Sequence, residues 1–359
     1  MIFMNKLCVK EILIDPRCKI NYASYYLYGL YELLGHKIIK FKILDYSITS
    51  SRELAAGFGM LVKYADGQEV RIFIDTNDPN SIYDTFYEWC DVYAKINVSE
   101  ADVNKAKILP IGPSFGVKLW SPMKTIILSL FNYIRVINGN DKYHVPFITY
   151  FKDYVYTFWR RTDYLAYSSV CHENSDYVFS VNTLWYDNIS LNTTNKYRGE
   201  FIKVCKNIFP IFEGGLYYIP GAETEFPPYE RYKEEFKDVL IDRRISMKKY
   251  LKGTRRSAIV FNTPSVCHCH GWKLAEYLSM GKAIISTPLS NVMPGDFING
   301  LHYICCDDIN RMDCVINSIH DDEKRREEIK HNAKKYFDDY LAPIAVINRI
   351  LSRAYICRN

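Results

Sequence analysis

Lys273 and Glu276 follow Gly271 closely in the run His268-Cys269-His270-Gly271-Trp272-Lys273-Leu274-Ala275-Glu276-Tyr277-Leu278-Ser279-Met280-Gly281. Gly271 is placed to open a helix, because apolar residues recur at helical spacing after it, at Leu274, Ala275, Leu278 and Met280. The free backbone N–H groups and positive dipole end of a helix N-terminus attract an anion. Lys273, in the first turn, opposes that dipole at a cost of roughly a few tenths of a kcal/mol, and a bound diphosphate would reverse the sign. Glu276, about one and a half turns in, is within reach of a ligand held at the N-terminus and suited to accepting sugar hydroxyls. A phosphate clamp beside a hydroxyl-binding carboxylate is what a nucleotide sugar requires. The same pattern also fits an ordinary helix whose Lys273 and Glu276 are simply solvated.

The elements around this run set its position. Gly281 stops the helix, and Ala283 to Ile285 read as a strand buried on both faces. Ala258 to Phe261 read as the preceding strand, so the loop Asn262 to Gly271 leaves its carboxyl end, where parallel sheets bind ligands. Upstream, Tyr177 to Val181 and Leu216 to Ile219 are strands around a helix from Arg198 to Phe209. Arg325 to Tyr336 and Pro343 to Ala354 are helices. The N-terminal half alternates likewise. It has strands at Val9 to Ile14, Lys37 to Leu44, Val92 to Val98 and Lys107 to Ile111, and a hairpin at Asp66-Gly67. Its helices are Tyr22 to Leu34, Ser81 to Cys90 and Ile126 to Val136, and an aromatic-rich run, Thr149 to Ser168, also reads as helical. The expected fold is α/β, with two doubly wound parallel sheets.

The segment from His268 to Gly281 resembles the C-terminal donor-binding motif of group 1, family-4-like glycosyltransferases of GT-B fold. That motif has two glutamates seven residues apart, the second opening Glu-Ala-Met-Ala-x-Gly; Glu276-Tyr277-Leu278-Ser279-Met280-Gly281 matches its second half. The first glutamate position holds His268, so the match departs there. The resemblance covers roughly residues 176 to 335. It implies two Rossmann-like domains facing across a cleft. Residues 1–170 would be an acceptor-binding domain, 171–340 a nucleotide-sugar-binding domain, and 341–359 a terminal helix crossing back onto the first. It also implies that Glu276 holds ribose hydroxyls, that His268 faces the donor sugar, and that a basic residue, Arg198 being nearest, holds the diphosphate. Transfer would retain the anomeric configuration and need no obligatory metal. Gly271, Trp272 and Lys273 complete the expected donor site, and Ser290 and Asn291 offer a hydroxyl and an amide to the sugar, or serve the turn they sit in.

Other candidates are weaker. Asp15, ending the first strand, suits a general base if the enzyme inverts, or a loop cap. Lys95, a charge inside an apolar strand, needs a partner or an open edge and is the acceptor-site candidate. Cys267-His268-Cys269-His270 has the wrong spacing for zinc, although Cys171-His172 or Cys305-Cys306 would complete a set.

At 359 residues the chain suits two domains. A net charge of +5 fits phosphate-bearing substrates or an anionic membrane surface and is too mild to argue nucleic acid. The basic run from Arg243 to Arg256 raises nucleic-acid or lipid binding, but acidic residues precede it and it reads best as a solvated amphipathic helix. The longest apolar stretch, Thr125 to Ile134, is too short to span a bilayer. The N-terminus lacks a signal peptide's apolar core and eleven cysteines are scattered, so reduced thiols in the cytoplasm, with the inner membrane face as a peripheral site, are expected. The expected function is sugar transfer from a nucleotide-diphosphate donor to a glycan or lipid-linked glycan in surface polysaccharide or glycoconjugate assembly. A non-catalytic nucleotide- or glycan-binding protein and a nucleic-acid-binding protein are the alternatives.

Overall fold

The computed structural model describes residues 9–46, 57–139, 145–168, 173–185, 191–225 and 229–358. The chain forms two compact units: one of residues 1–166, 292–294 and 339–359, the other of residues 167–291 and 295–338.

In the first unit, β1 (Val9–Ile14) leads through α1 (Ile20–Leu34) to β2 (Ile39–Phe41), parallel to it. Next come β3 (Gly57–Tyr64), β4 (Glu69–Asp75), α2 (Asp84–Trp89), β5 (Val92–Lys95) and β6 (Ile108–Pro110). They form one sheet in the order β2-β1-β3-β4-β5-β6. The hairpin read at Asp66-Gly67 is present, and β3 runs antiparallel to β4, as strands joined by so few residues must. β3 is also antiparallel to β1, so this sheet is mixed rather than wholly parallel. The helices α3 (Pro122–Gly139) and α4 (Phe147–Arg160) follow and pack on each other. The aromatic run expected to be one helix is broken after Arg160 and resumes only at Leu165–Ser168.

The second unit builds β7 (Tyr177–Thr183), α5 (Leu191–Ile208), β8 (Ile211–Tyr217), β9 (Leu240–Ile241), α6 (Met247–Arg256) and β10 (Ile259–Asn262). It continues with α7 (Trp272–Ser279), β11 (Ala283–Ser286), β12 (Ile304–Cys305), α8 (Met312–His320) and α9 (Glu323–Tyr336). The strands pair in parallel as β7-β8-β9 and β10-β11-β12. The two sets meet at β7 and β10. Ala258 N–H donates to Tyr177 O at 2.9 Å, and the buried Ser257 hydroxyl accepts from Phe179 N–H at 2.9 Å. The resulting order, β9-β8-β7-β10-β11-β12, is that of the doubly wound dinucleotide-binding sheet, with its switch point between β7 and β10. Val178, Phe201, Phe261, Ile285, Ile316 and Ile329 share its core.

The last helix, α10 (Pro343–Arg358), belongs to the first unit. It lies against α1, where Tyr25 OH donates to Leu341 O at 2.6 Å. Gly29, mid-way along α1, permits this approach: a Cβ there would sit 2.4 Å from Pro343 O. No described helix is long and apolar enough to cross a membrane, and the nine described cysteines are free thiols.

Candidate functional site at the carboxyl edge of the second sheet

The strands β7 and β10 end in polar residues, Asn182-Thr183 and Asn262-Thr263, at the point where the strand order reverses. Here the chain must diverge to opposite faces of the sheet, leaving a crevice. A cavity of about 140 Å³ occupies it, with Asn182, Thr183, Thr263 and Gly271 in its wall beside two cations, Arg198 and Lys273. The indoles of Trp185 and Trp272 also line it. Gly271 is the residue before α7, and no side chain caps that helix, so its N-terminal N–H groups border the same cavity.

Sequence spacing puts Arg198 at the start of its helix, but it lies two turns inside, because α5 starts at Leu191 and the polar residues 192–196 belong to it. From there its Nε donates to Thr263 Oγ1 at 2.8 Å and its Nη1 to Thr183 O at 3.0 Å, tying the guanidinium to both strand ends. Lys273 Nζ donates to Asn182 Oδ1 at 2.6 Å and to Val181 O, and lies 5.8 Å from the centre of the Tyr250 ring. Among the described residues neither cation is ion-paired to a carboxylate. The electrostatic strain shows in their proton affinities. Burial lowers Arg198 to about 10. Burial, then the charge of Arg198, lowers Lys273 to about 7, with Glu276 pulling the other way. Two crowded, partly desolvated cations beside a helix N-terminus favour an anion that can neutralise both.

Glu276 does not line this cavity. It is buried, and its Oε2 accepts from Tyr250 OH at 2.6 Å. It thus acts on the cavity through the charge it places behind Lys273. His268 is exposed and lines a second hollow of about 250 Å³, which shares Thr263 with the first and includes Thr194, Tyr197, Thr287 and Ser290. Cys267 and His268 both have φ near +55°, a left-handed conformation that side chains larger than glycine adopt only under constraint. The loop is held in it by Ser265 N–H donating to Cys269 O at 3.1 Å and Asn291 Nδ2 donating to His268 O at 3.0 Å. Asn291 is therefore a brace beneath His268. Its Oδ1 and the Thr287 hydroxyl are buried with no hydrogen-bond partner among the described residues. His270, next to this loop, is buried, and burial lowers its imidazole to about 4.

The first-unit candidates have their own partners. Asp15 accepts from Arg17 N–H, Nε and Nη2 and from Leu44 N–H, at 2.6 to 2.9 Å. All four donors come from the protein's own chain, so Asp15 ties the loop after β1 to Leu44, the loop-cap role that the sequence also allowed. Lys95 is fully buried, paired with Asp75 at 2.8 Å and donating to Pro79 O at 3.0 Å, which meets its need for a partner without an open edge. Among the described residues no group of three His, Cys, Asp or Glu side chains is arranged to share a metal, and Cys171-His172 lies outside them.

Asn182, Thr183, Thr263, Tyr250 and Thr287 were not singled out from sequence. The polar pairs ending two apolar strands were the available signal for the first three; Tyr250 and Thr287 come from separate elements and gave none.

No protein-family model matches the chain, and no curated protein is similar to it in sequence. Solved structures resemble it weakly. Anabaena HepE in complex with UDP-glucose is 11% identical over 74% of this chain and 64% of its own, with a TM-score of 0.40. Sucrose-phosphate synthase from Thermosynechococcus elongatus is 14% identical over 74% and 59%, with a TM-score of 0.39. The C-terminal domain of a group 1 glycosyl transferase family protein from Francisella tularensis is 13% identical over 46% and 86%, with a TM-score of 0.32. The chain thus spans slightly under two thirds of the length of HepE.

Proposed function

We propose that the crevice between β7 and β10 binds the diphosphate of a nucleotide sugar and that the chain transfers the sugar to a glycan or lipid-linked glycan. The supporting observation is the pair Arg198 and Lys273, anchored to the two strand ends beside the α7 N-terminus, with no carboxylate ion-paired to either among the described residues. In transfer, the bond from the anomeric carbon to the diphosphate breaks, an acceptor hydroxyl oxygen bonds to that carbon, and the hydroxyl proton passes to the departing diphosphate oxygen. The charge that develops is on the departing diphosphate, and fixed cations aimed at it lower the barrier. That assigns to Arg198 and Lys273 the work a metal ion would otherwise do, so activity is expected to survive chelation. The second hollow, with His268, Ser290 and the unpartnered Thr287 hydroxyl, suits sugar hydroxyls. The resemblance to group 1 enzymes adds retention of configuration, which NMR of the product's anomeric signal would decide.

Calorimetry with UDP-, GDP-, ADP- and TDP-sugars tests the binding step. One donor base should bind, and Arg198→Gln should weaken it by about 1.5–3 kcal/mol, the scale of hydrogen bonds to charged groups. Failure of every nucleotide to bind would end this reading. Binding with no hydrolysis or transfer of any donor sugar would leave the non-catalytic alternative.

A further inference from the structure

We infer that α3 and α4 form a docking face for an anionic lipid bilayer. The helix α3 is built inside out. Thr125, Ser129, Asn132 and Val136 are its buried residues, three of them polar, whereas Met123, Ile127, Leu130, Phe131, Ile134 and Ile137 are between 43% and 67% exposed. At 100° per residue, the outward set falls on one face and the inward set opposite it. The inward polar groups are matched inside the protein: Asn132 Nδ2 donates to Tyr154 OH at 3.0 Å, and the Thr125 and Ser129 hydroxyls donate to carbonyls of their own turn at 2.9 and 2.7 Å. The inward side is thus satisfied as it stands, and among the described residues the apolar face is left uncovered. On α4, which packs on α3, Ile148 and Trp159 are also turned outward, at 64% and 75% exposed.

Charge selects the occupant. Lys124 and Arg135 lie along one margin of the α3 face, and α4 adds Lys152 and Arg160, all exposed. The two helices carry no exposed acidic residue; Asp153, their single acid, is turned inward and accepts from Ile20 N–H at 2.5 Å. A second copy of this chain would bring the same cations to the contact, whereas an anionic leaflet brings the opposite charge. An apolar face bordered by Lys, Arg and an exposed Trp is the composition of a helix lying in the plane of a membrane interface. At 18 residues α3 has the length for that and lacks the hydrophobicity to cross. The basic run at Arg243 to Arg256 is a poorer site, since α6 buries Leu251, Gly253 and Thr254 and its Lys249 pairs with Glu213. The inference does not rest on sugar transfer, and vesicle binding is measured without a nucleotide.

The test is flotation of the full chain with vesicles of phosphatidylcholine alone and of phosphatidylcholine rich in phosphatidylglycerol, at low and high salt. Wild-type protein should float with the anionic vesicles and be released by salt. Ile127→Glu/Ile134→Glu, at exposed positions, should keep the wild-type melting temperature and lose binding at least tenfold. Lys124→Gln and Arg135→Gln should each cost about fivefold, the scale of one basic residue at an anionic surface. Wild-type protein that stays off anionic vesicles at low salt, or variants that bind like wild type, would overturn the assignment. So would a wild-type dimer in free solution that Ile127→Glu/Ile134→Glu dissociates, which would give the face to a second copy.

Discussion

Lys273 concentrates the chemistry of the second unit at one atom. Burial and then the charge of Arg198 lower its proton affinity to about 7, so its charge is lost far more readily than that of an exposed lysine. A bound diphosphate favours the ammonium and raises that value. Below pH 7 the lysine is charged with or without ligand, so affinity for a nucleotide sugar should be flat there. Above pH 7 binding must take up a proton, and affinity should fall with rising pH, by up to tenfold per unit. The diphosphate of a nucleotide sugar has no titrating group in that range. Calorimetry from pH 6 to 9 should show this slope in wild type, and Lys273→Met should be flat and weaker at pH 6 by about 1.5–3 kcal/mol. A flat wild-type profile would remove Lys273 from the diphosphate. His268 gives the complementary expectation: it lies in the second hollow and not in the first, so His268→Ala should lower transfer more than nucleotide binding, measured in one preparation. Sequence spacing singled out Glu276, which the structure places behind Lys273 and outside the cavity wall. It did not single out its neighbour, because Tyr250 comes from a different helix and nothing in local spacing brings the two together.

Among the elements, apolar periodicity located most helices and strands, since each buries one stripe or one face and the stripe is written in the sequence. It erred where something else decides. The start of α5 was read seven residues late because a polar first two turns looks like loop when only apolar spacing is counted. The apolar residues of α3 revealed a helix, but an apolar stripe reads as inward by default; only the structure turns it outward. Helix contact is set by small residues as much as by apolar ones, and Gly29 is the case in point. A methyl at that position would meet the backbone of Pro343, which cannot rotate away, so α1 and α10 would have to separate. Gly29→Ala gains helix propensity but overpacks this crossing, and the second effect, about 1–3 kcal/mol, exceeds the first, about 1 kcal/mol. Thermal unfolding should therefore show a net loss of stability. A stabilised Gly29→Ala protein would mean that the crossing is looser than described.

Across the whole molecule, the chain order and the cores disagree at the C-terminus: the last helix completes the first unit. Val346, Ile347, Ile350 and Leu351 on α10 are each at most 3% exposed. Removing them from their core forfeits about 1.5–3 kcal/mol apiece, together about 6–12 kcal/mol as an upper estimate. That is comparable to the entire stability of a domain, about 5–15 kcal/mol. A chain ending at Ala342 should thus lose the cooperative unfolding of its first unit. The cavity with Arg198 and Lys273 is lined entirely by the second unit, whose core contains no residue of α10. Nucleotide binding should accordingly persist in the truncated chain, within about threefold of wild type. Ligand should still raise the remaining transition, by about 2.7 kcal/mol at a hundred times Kd. Calorimetric scans of both chains with and without nucleotide sugar separate the possibilities. Loss of binding together with the first unit's transition would mean that the site depends on more than the residues lining it. An unchanged first transition would mean that α10 is peripheral to a core it fills here.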